Sequence, residues 1–168
     1  IDIKWTAFPL HPETPTAGLT LEELFAGRPV DIKQVLERLN RTARDLGLPF
    51  GKRKRTYNSR LAHELGKLAE EQGCGQRYHM AAFKAYFAKG LNIGLQSTLL
   101  DLGTSVGLPA QQVLEVLEKR TFEDAVDKDW KRSYQSGVTA VPTFMINGMS
   151  LVGAQPYEKL AQLMESSG

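Results

Sequence analysis

Hydrophobic residues recur with the helical period through the middle of this chain and with a strand pattern only near its two ends. At the start, Ile1-Asp2-Ile3-Lys4-Trp5-Thr6-Ala7-Phe8 alternates apolar and polar positions up to its Ala-Phe end, which predicts a strand. Pro9, Pro12, Pro15, Gly18, Gly27 and Pro29 then break any regular period, so residues 6–29 read as a loop with one short turn around Leu21 to Phe25. Asp31 is a good helix N-cap with Gln34 three residues on, and Ile32, Val35, Leu36, Leu39, Ala43 and Leu46 fall on one apolar face before Gly47. A second helix is predicted from about Ser59 to Gln72, with Leu61, Leu65, Leu68 and Ala69 inward and Gly73 as its stop. Helical spacing continues over residues 77–89, 95–106, 109–119 and 122–134. Phe83, Tyr86, Phe87, Trp130 and Tyr134 fall on these helices and are read as core of the helical region.

The pattern changes at Gly137-Val138-Thr139-Ala140-Val141-Pro142-Thr143-Phe144-Met145-Ile146-Asn147-Gly148. A proline belongs at the first residue of a strand rather than in its middle, so Pro142 opens the hydrophobic run. The Val141–Pro142 bond is a candidate for the cis isomer, which only about 5% of X-Pro bonds adopt. Asn147-Gly148 supplies the positive φ angles of a type I′ turn, Met149 to Gly153 returns antiparallel, and Pro156 opens a last helix carrying Tyr157, Leu160, Ala161, Leu163 and Met164.

Strand, hairpin, strand and helix in this order resemble the C-terminal half of a thioredoxin fold. The residues Gly137-Val138, Val141-Pro142-Thr143-Phe144, Gly148 and Val152-Gly153-Ala154-Gln155-Pro156 are similar to the DsbA-like thiol oxidoreductases, in particular the FrnE branch related to 2-hydroxychromene-2-carboxylate isomerase. Ala85-Tyr86-Phe87 and Leu99-Leu100-Asp101 to Val106-Gly107-Leu108 resemble the helical insertion of that branch, and Trp5 to Pro15 the strand and loop before it. The resemblance implies an α/β, thioredoxin-like fold with an inserted α-helical subdomain. Residues 1–30 and 137–168 would form a partial core and residues 31–136 the insertion. It also implies protein dithiol-disulfide oxidoreductase activity, through a mixed disulfide, and protein or peptide thiols and disulfides as substrates.

The family's Cys-x-x-Cys, or its Ser/Cys variant, sits at the start of the first helix, where backbone N–H groups lower a thiol pKa. No such motif occurs here. The single cysteine, Cys74, lies between Gly73 and Gly75 and reads as an incidental loop thiol, unable to form an intramolecular disulfide. The chain is therefore expected to enter the fold one strand and one helix late, with about 35 family-typical residues preceding Ile1 or supplied by a partner, since two strands would otherwise present unpaired edges. A chain that starts at Ile1 with a different sheet order stays open as the alternative. On this expectation the numbered residues hold no catalytic group.

The substrate-facing residues implied are Val141 and Pro142, whose backbone would pair with an extended peptide or with glutathione by strand addition. Thr139 and Thr143 would tune that loop through their hydroxyls. Asn58, in Thr56-Tyr57-Asn58-Ser59, matches a pocket position of the isomerase relatives, with an N-cap of the following helix as its other reading. Two further functions stay open. One is a glutathione-dependent isomerase or kappa-class-like transferase, disfavoured because Gly153-Ala154-Gln155-Pro156 stands where those enzymes show Gly-x-Asp-Arg. The other is a non-catalytic binding module.

Composition narrows the partners. A net charge of only +2 gives no global attraction to nucleic acid, and the run Lys52-Arg53-Lys54-Arg55, without interleaved aromatics, reads as a solvated loop. His11, His63 and His79 are far apart and, with one cysteine, make no metal signature. No cofactor is expected, glutathione being the candidate co-substrate. No stretch of about 18 apolar residues and no signal-like segment occurs, so the expected site of action is the cytoplasm, away from membranes, with a homodimer compatible.

Overall fold

The structure, a computed structural model, describes residues 2–166. Ile1, on which the predicted first strand opens, lies outside them. The chain divides into two compact units, residues 11–126 and residues 1–10 with 127–168. Expectation drew these limits at 30/31 and 136/137. The loop 11–30 belongs with the helices because two asparagines tie it there: Asn58 Nδ2 donates to Pro12 O (3.0 Å) and Thr14 O (2.9 Å), and Asn92 Nδ2 to Thr16 O (2.9 Å).

In the larger unit, β1 (Leu19–Thr20) runs directly into α1 (Leu21–Leu24) through a capping box: Glu23 N donates to Thr20 Oγ1 (3.1 Å) and Thr20 N to Glu23 Oε2 (2.7 Å). β2 (Arg55–Thr56) pairs antiparallel with β1, Leu19 opposite Thr56. Both strands are two residues long, too short for a periodic signal in the sequence. α2 (Ile32–Asp45) begins at Asp31, whose Oδ1 accepts from Gln34 N (3.0 Å), as the pattern predicted. Its apolar face is covered less than expected, with Ala43 alone fully buried and Leu46 66% exposed, because α2 packs extensively on no other described element.

The core lies among α3 (Arg60–Glu71), α4 (Gly75–Phe83), α5 (Gln96–Ser105) and α6 (Ala110–Lys119). Leu65, Ala69, Leu99 and Val113 have no exposed surface, and Gly103 lets α5 approach α6, since a Cβ there would meet Val113 Cγ2 at 2.7 Å. Tyr78 fills the centre, its hydroxyl donating to Ala62 O (2.9 Å), and burial pushes its pKa far up. Cys74 corrects the loop reading: it is buried in this cluster at the N-cap of α4. Phe83 and Phe87 are correspondingly not core. Phe83 lies off the face of α4 that buries Tyr78, and a π-helical turn, Lys84–Ala88, follows, with Lys89 N bonded to Lys84 O (3.0 Å), its extra residue shifting the 3.6-residue phase before Phe87.

In the smaller unit, the predicted strand over residues 1–8 is not formed: residues 2–9 pair with no strand among the described residues. At Ala7 the backbone is bound by a helix instead. Along α7 (Glu123–Gln135), Asp129 Oδ2 accepts from Ala7 N (2.9 Å), while Ser133 Oγ, one turn on, donates to Ala7 O (3.2 Å). Tyr134 lies half open beside Phe8, ring centroids 6.3 Å apart, rather than in a core. β3 (Thr143–Ile146) and β4 (Met149–Val152) form an antiparallel hairpin from Thr143 opposite Val152 to Ile146 opposite Met149. Asn147 and Gly148 take φ of 46° and 81°, the two positive values a type I′ turn requires. α8 (Tyr157–Glu165) starts after Pro156, and none of its residues is fully buried.

Candidate functional site

The loop leading into β3 turns out of α7 at Gly137 (φ 69°), where Val138 N donates to Ser133 O (3.0 Å). Thr143 Oγ1 donates back to Ala140 O (2.6 Å), closing the turn around Val141 and Pro142. The Val141–Pro142 peptide bond is cis, and Pro142 O accepts from Gly153 N (2.7 Å) just beyond the end of β4. Val141 is 44% exposed, and neither its N–H nor its C=O bonds to another described residue. The Thr139 hydroxyl is exposed and makes no hydrogen bond among the described residues, so of the two threonines only Thr143 braces the loop. Thr139, Val141 and Pro142 thus share one short exposed segment that offers backbone donors and acceptors at the head of a strand.

Asn58 belongs to the other compact unit. Its Nδ2 serves two carbonyls of the Pro12–Thr14 loop, and its Oδ1 accepts from Arg60 N (2.9 Å), an Asx turn that starts α3. With all three contacts made inside the chain, its side chain is engaged in holding a loop to a helix.

The basic run is also more structural than a solvated loop. Its residues alternate outward and inward: Lys52 and Lys54 are exposed, whereas the Arg53 guanidinium lies over Tyr86 (5.4 Å) and Phe87 (5.8 Å), and Arg55 Nη1 donates to Ala17 O (3.2 Å) and Gly18 O (3.0 Å). His11 titrates below the ordinary histidine value because it is partly buried and then because Arg28 and Arg53 repel a second positive charge. His79 pairs instead with Glu70 (3.1 Å). Among the described residues no three His, Cys, Asp or Glu side chains converge on one point.

One charged cluster escaped the sequence reading. Glu64, fully buried, receives Arg60 Nε at 2.8 Å, and Arg120 grips it bidentately at 2.6 and 2.7 Å. Arg120 stands in the left-handed region (φ 55°) at the end of α6. A carboxylate inside an otherwise apolar helical stripe was the available signal. The cluster is charge-compensated and ties α3 to α6.

Compared with known proteins, residues 1–165 match the model of the DSBA-like thioredoxin domain. The chain belongs to that family. Its fold is accordingly thioredoxin-like α/β with helices inserted, and it superimposes on a probable DsbA oxidoreductase from Streptomyces coelicolor with a TM-score of 0.88 at 26% identity, covering 96% of this chain and 73% of that one. A 2-hydroxychromene-2-carboxylate isomerase shares the fold (TM-score 0.70, 18% identity, 91% and 76% covered). In sequence, an uncharacterized protein of Bacillus subtilis strain 168, YwbO, is 36% identical over 95 residues, which are 56% of this chain and 48% of that protein. The chain thus spans about half the length of that curated relative. Among the described residues no helix is long and apolar enough to cross a membrane.

Proposed function

We propose that this DSBA-like chain is part of a FrnE-like protein dithiol-disulfide oxidoreductase, in which the Thr139–Pro142 loop holds an extended substrate peptide beside a thiol pair lying outside the 168 residues. The observation that carries the reading is the Val141 backbone: exposed, unpaired among the described residues, and directly ahead of a strand, it is suited to strand addition. The only cysteine, Cys74, is buried among apolar side chains, where a thiol is inert as a nucleophile. Residues aligned over 73% of the Streptomyces oxidoreductase leave room in such a protein for the reactive pair. In this reading a substrate disulfide is attacked by a thiolate, a mixed disulfide forms, and a second thiol resolves it, releasing the reduced substrate while the pair is oxidised. Substrates are protein or peptide thiols and disulfides, and the compartment is the cytoplasm.

The glutathione-dependent reading receives less support. Gln155 is neutral, and its Nε2 is held by Val152 O (2.7 Å), so the segment after the hairpin offers no carboxylate for the amino group of glutathione.

The test is thiol-disulfide exchange of the longest natural protein containing this chain, with its thiol pair reduced, on a fluorescent disulfide-bonded peptide. Val141→Pro, which deletes the N–H, should lower kcat/KM roughly tenfold, about the worth of a hydrogen bond made in the transition state, while Val141→Ala stays near wild type. Equal rates for both variants would remove the loop from the mechanism. Absence of any exchange in that protein would remove the reaction class.

A further inference from the structure

The structure carries a second exposed feature, in the larger unit. Met80, Phe83 and Phe87 stand at i, i+3 and i+7, one face of α4 and its π-helical extension, and are 41%, 42% and 36% exposed. Phe87 links them to Phe50: its ring centroid is 6.3 Å from those of both Phe83 and Phe50, nearly parallel to the latter. The surface is held in place from below. The Tyr86 ring meets Phe87 edge-on at 4.8 Å, Arg53 lies over both, and Gly51 N bonds to Phe87 O (2.9 Å). This is a pre-formed apolar face rich in aromatic, methionine and arginine side chains, the composition of interface centres.

The two chain segments that build it are one-sided in charge. Residues 46–63 and 72–100, the two segments that build the face, contain no aspartate or glutamate, yet they supply Lys52, Arg53, Lys54, Arg55, Arg60, Arg77, Lys84 and Lys89. Arg60 pairs with Glu64, whereas among the described residues Lys52, Arg53, Lys54, Lys84 and Lys89 make no ion pair. Beyond these segments Lys67 pairs with Glu70, Lys119 with Glu115 and Arg120 with Glu64. With a net charge of only +2, the imbalance is a property of this face rather than of the whole chain.

We propose that this face docks an acidic amphipathic helix of a partner protein, its apolar anchors seated on Met80, Phe83, Phe87 and Phe50 and its carboxylates meeting the ring of lysines. An amphipathic helix would meet such a face through its own i, i+3 and i+7 positions, and complementary charge would speed encounter and fix orientation. Bases of a single strand need open aromatic faces for stacking, and Phe87 has Phe50, Tyr86 and Arg53 packed around it. A second copy of the chain would bring the same unpaired cations face to face.

The probe is a fluorescein-labelled peptide of about 20 residues, long enough to be helical, with Leu and Phe at i, i+3 and i+7 and Glu between them. Binding is followed by anisotropy on the longest natural protein containing this chain. Saturable binding is expected, weakening as salt rises from about 50 to 500 mM. Met80→Glu, and separately the double change Lys52→Glu with Lys84→Glu, should each weaken it at least about tenfold while the thermal unfolding midpoint stays within a few degrees, all these side chains being exposed. Equal binding of a peptide of the same composition with scrambled spacing would overturn the proposal, as would wild-type affinity in both variants. Tighter binding, by about tenfold, of a poly(dT) oligonucleotide or of phosphatidylserine vesicles, lost in the same variants, would overturn it in favour of nucleic acid or membrane.

Discussion

Glu64 shows how much one side chain decides here. A carboxylate with no exposed surface is tolerable only because two arginines from different elements saturate it, Arg60 from one turn earlier on α3 and Arg120 from the end of α6. Removing one member of a buried charged cluster strands the others, which is worse than never having had the pair. Glu64→Gln should therefore lower the unfolding free energy by about 3 kcal/mol, read as a shift in urea midpoint at unchanged slope. A loss below about 0.5 kcal/mol, typical of surface substitutions, would mean the cluster is solvated in solution. Ala7 makes a similar point: both its backbone N–H and its C=O are taken by side chains of α7, Asp129 and Ser133, rather than by a neighbouring strand.

At the scale of elements, the hairpin owes its register to two residues. Asn147 and Gly148 adopt positive φ, which matches the turn to the twist of the flanking strands and fixes Thr143 opposite Val152. Nothing lies within 4 Å of a Cβ built at Gly148, so a side chain there would meet no clash and would carry only the left-handed backbone cost, roughly 1–2 kcal/mol for an L residue. Gly148→Val should reduce the protection of the β3 and β4 amides against hydrogen exchange by about that free energy, leaving the α3 and α5 amides unchanged. Equal loss in α3 and α5 would mean that hairpin and helices open as one. α2 is the contrasting element: its cap formed as written, but its apolar face packs extensively on no other described element, since a cap needs only neighbours in sequence and a face needs neighbours in space.

For the whole molecule, the two units differ in how much apolar surface each buries. In the unit of residues 11–126, Leu65, Ala69, Leu99 and Val113 are closed from water, whereas in the other the hairpin leaves Phe144, Met145 and Val152 open and α8 buries no residue fully. Burial of apolar area is the main source of stability, so local opening should concentrate in the hairpin and α8. In hydrogen exchange on the 168-residue chain, the Phe144–Ile146 amides are expected to exchange at least about 100-fold faster than those of Leu65 and Leu99. Matching rates would indicate one cooperative unit. The apolar surface of the hairpin is also what the proposed substrate loop borders, and a peptide added beside β3 would cover part of it.

By itself the sequence determined what depends on residues close together in the chain. The Asp31 cap, the inward positions of α3, the Asn147-Gly148 turn, Pro142 at the mouth of β3 and the DSBA-like pattern around it are all set within a few residues, through dihedral preference, capping and periodicity. Tertiary structure alone decided the rest. Ala7 and Asp129 are 122 residues apart, Glu64 and Arg120 are 56, and Phe87 stands in a π turn that no period announces. Contacts of that kind satisfy buried polar groups wherever the fold happens to deliver a partner, and that geometry is written in no local pattern.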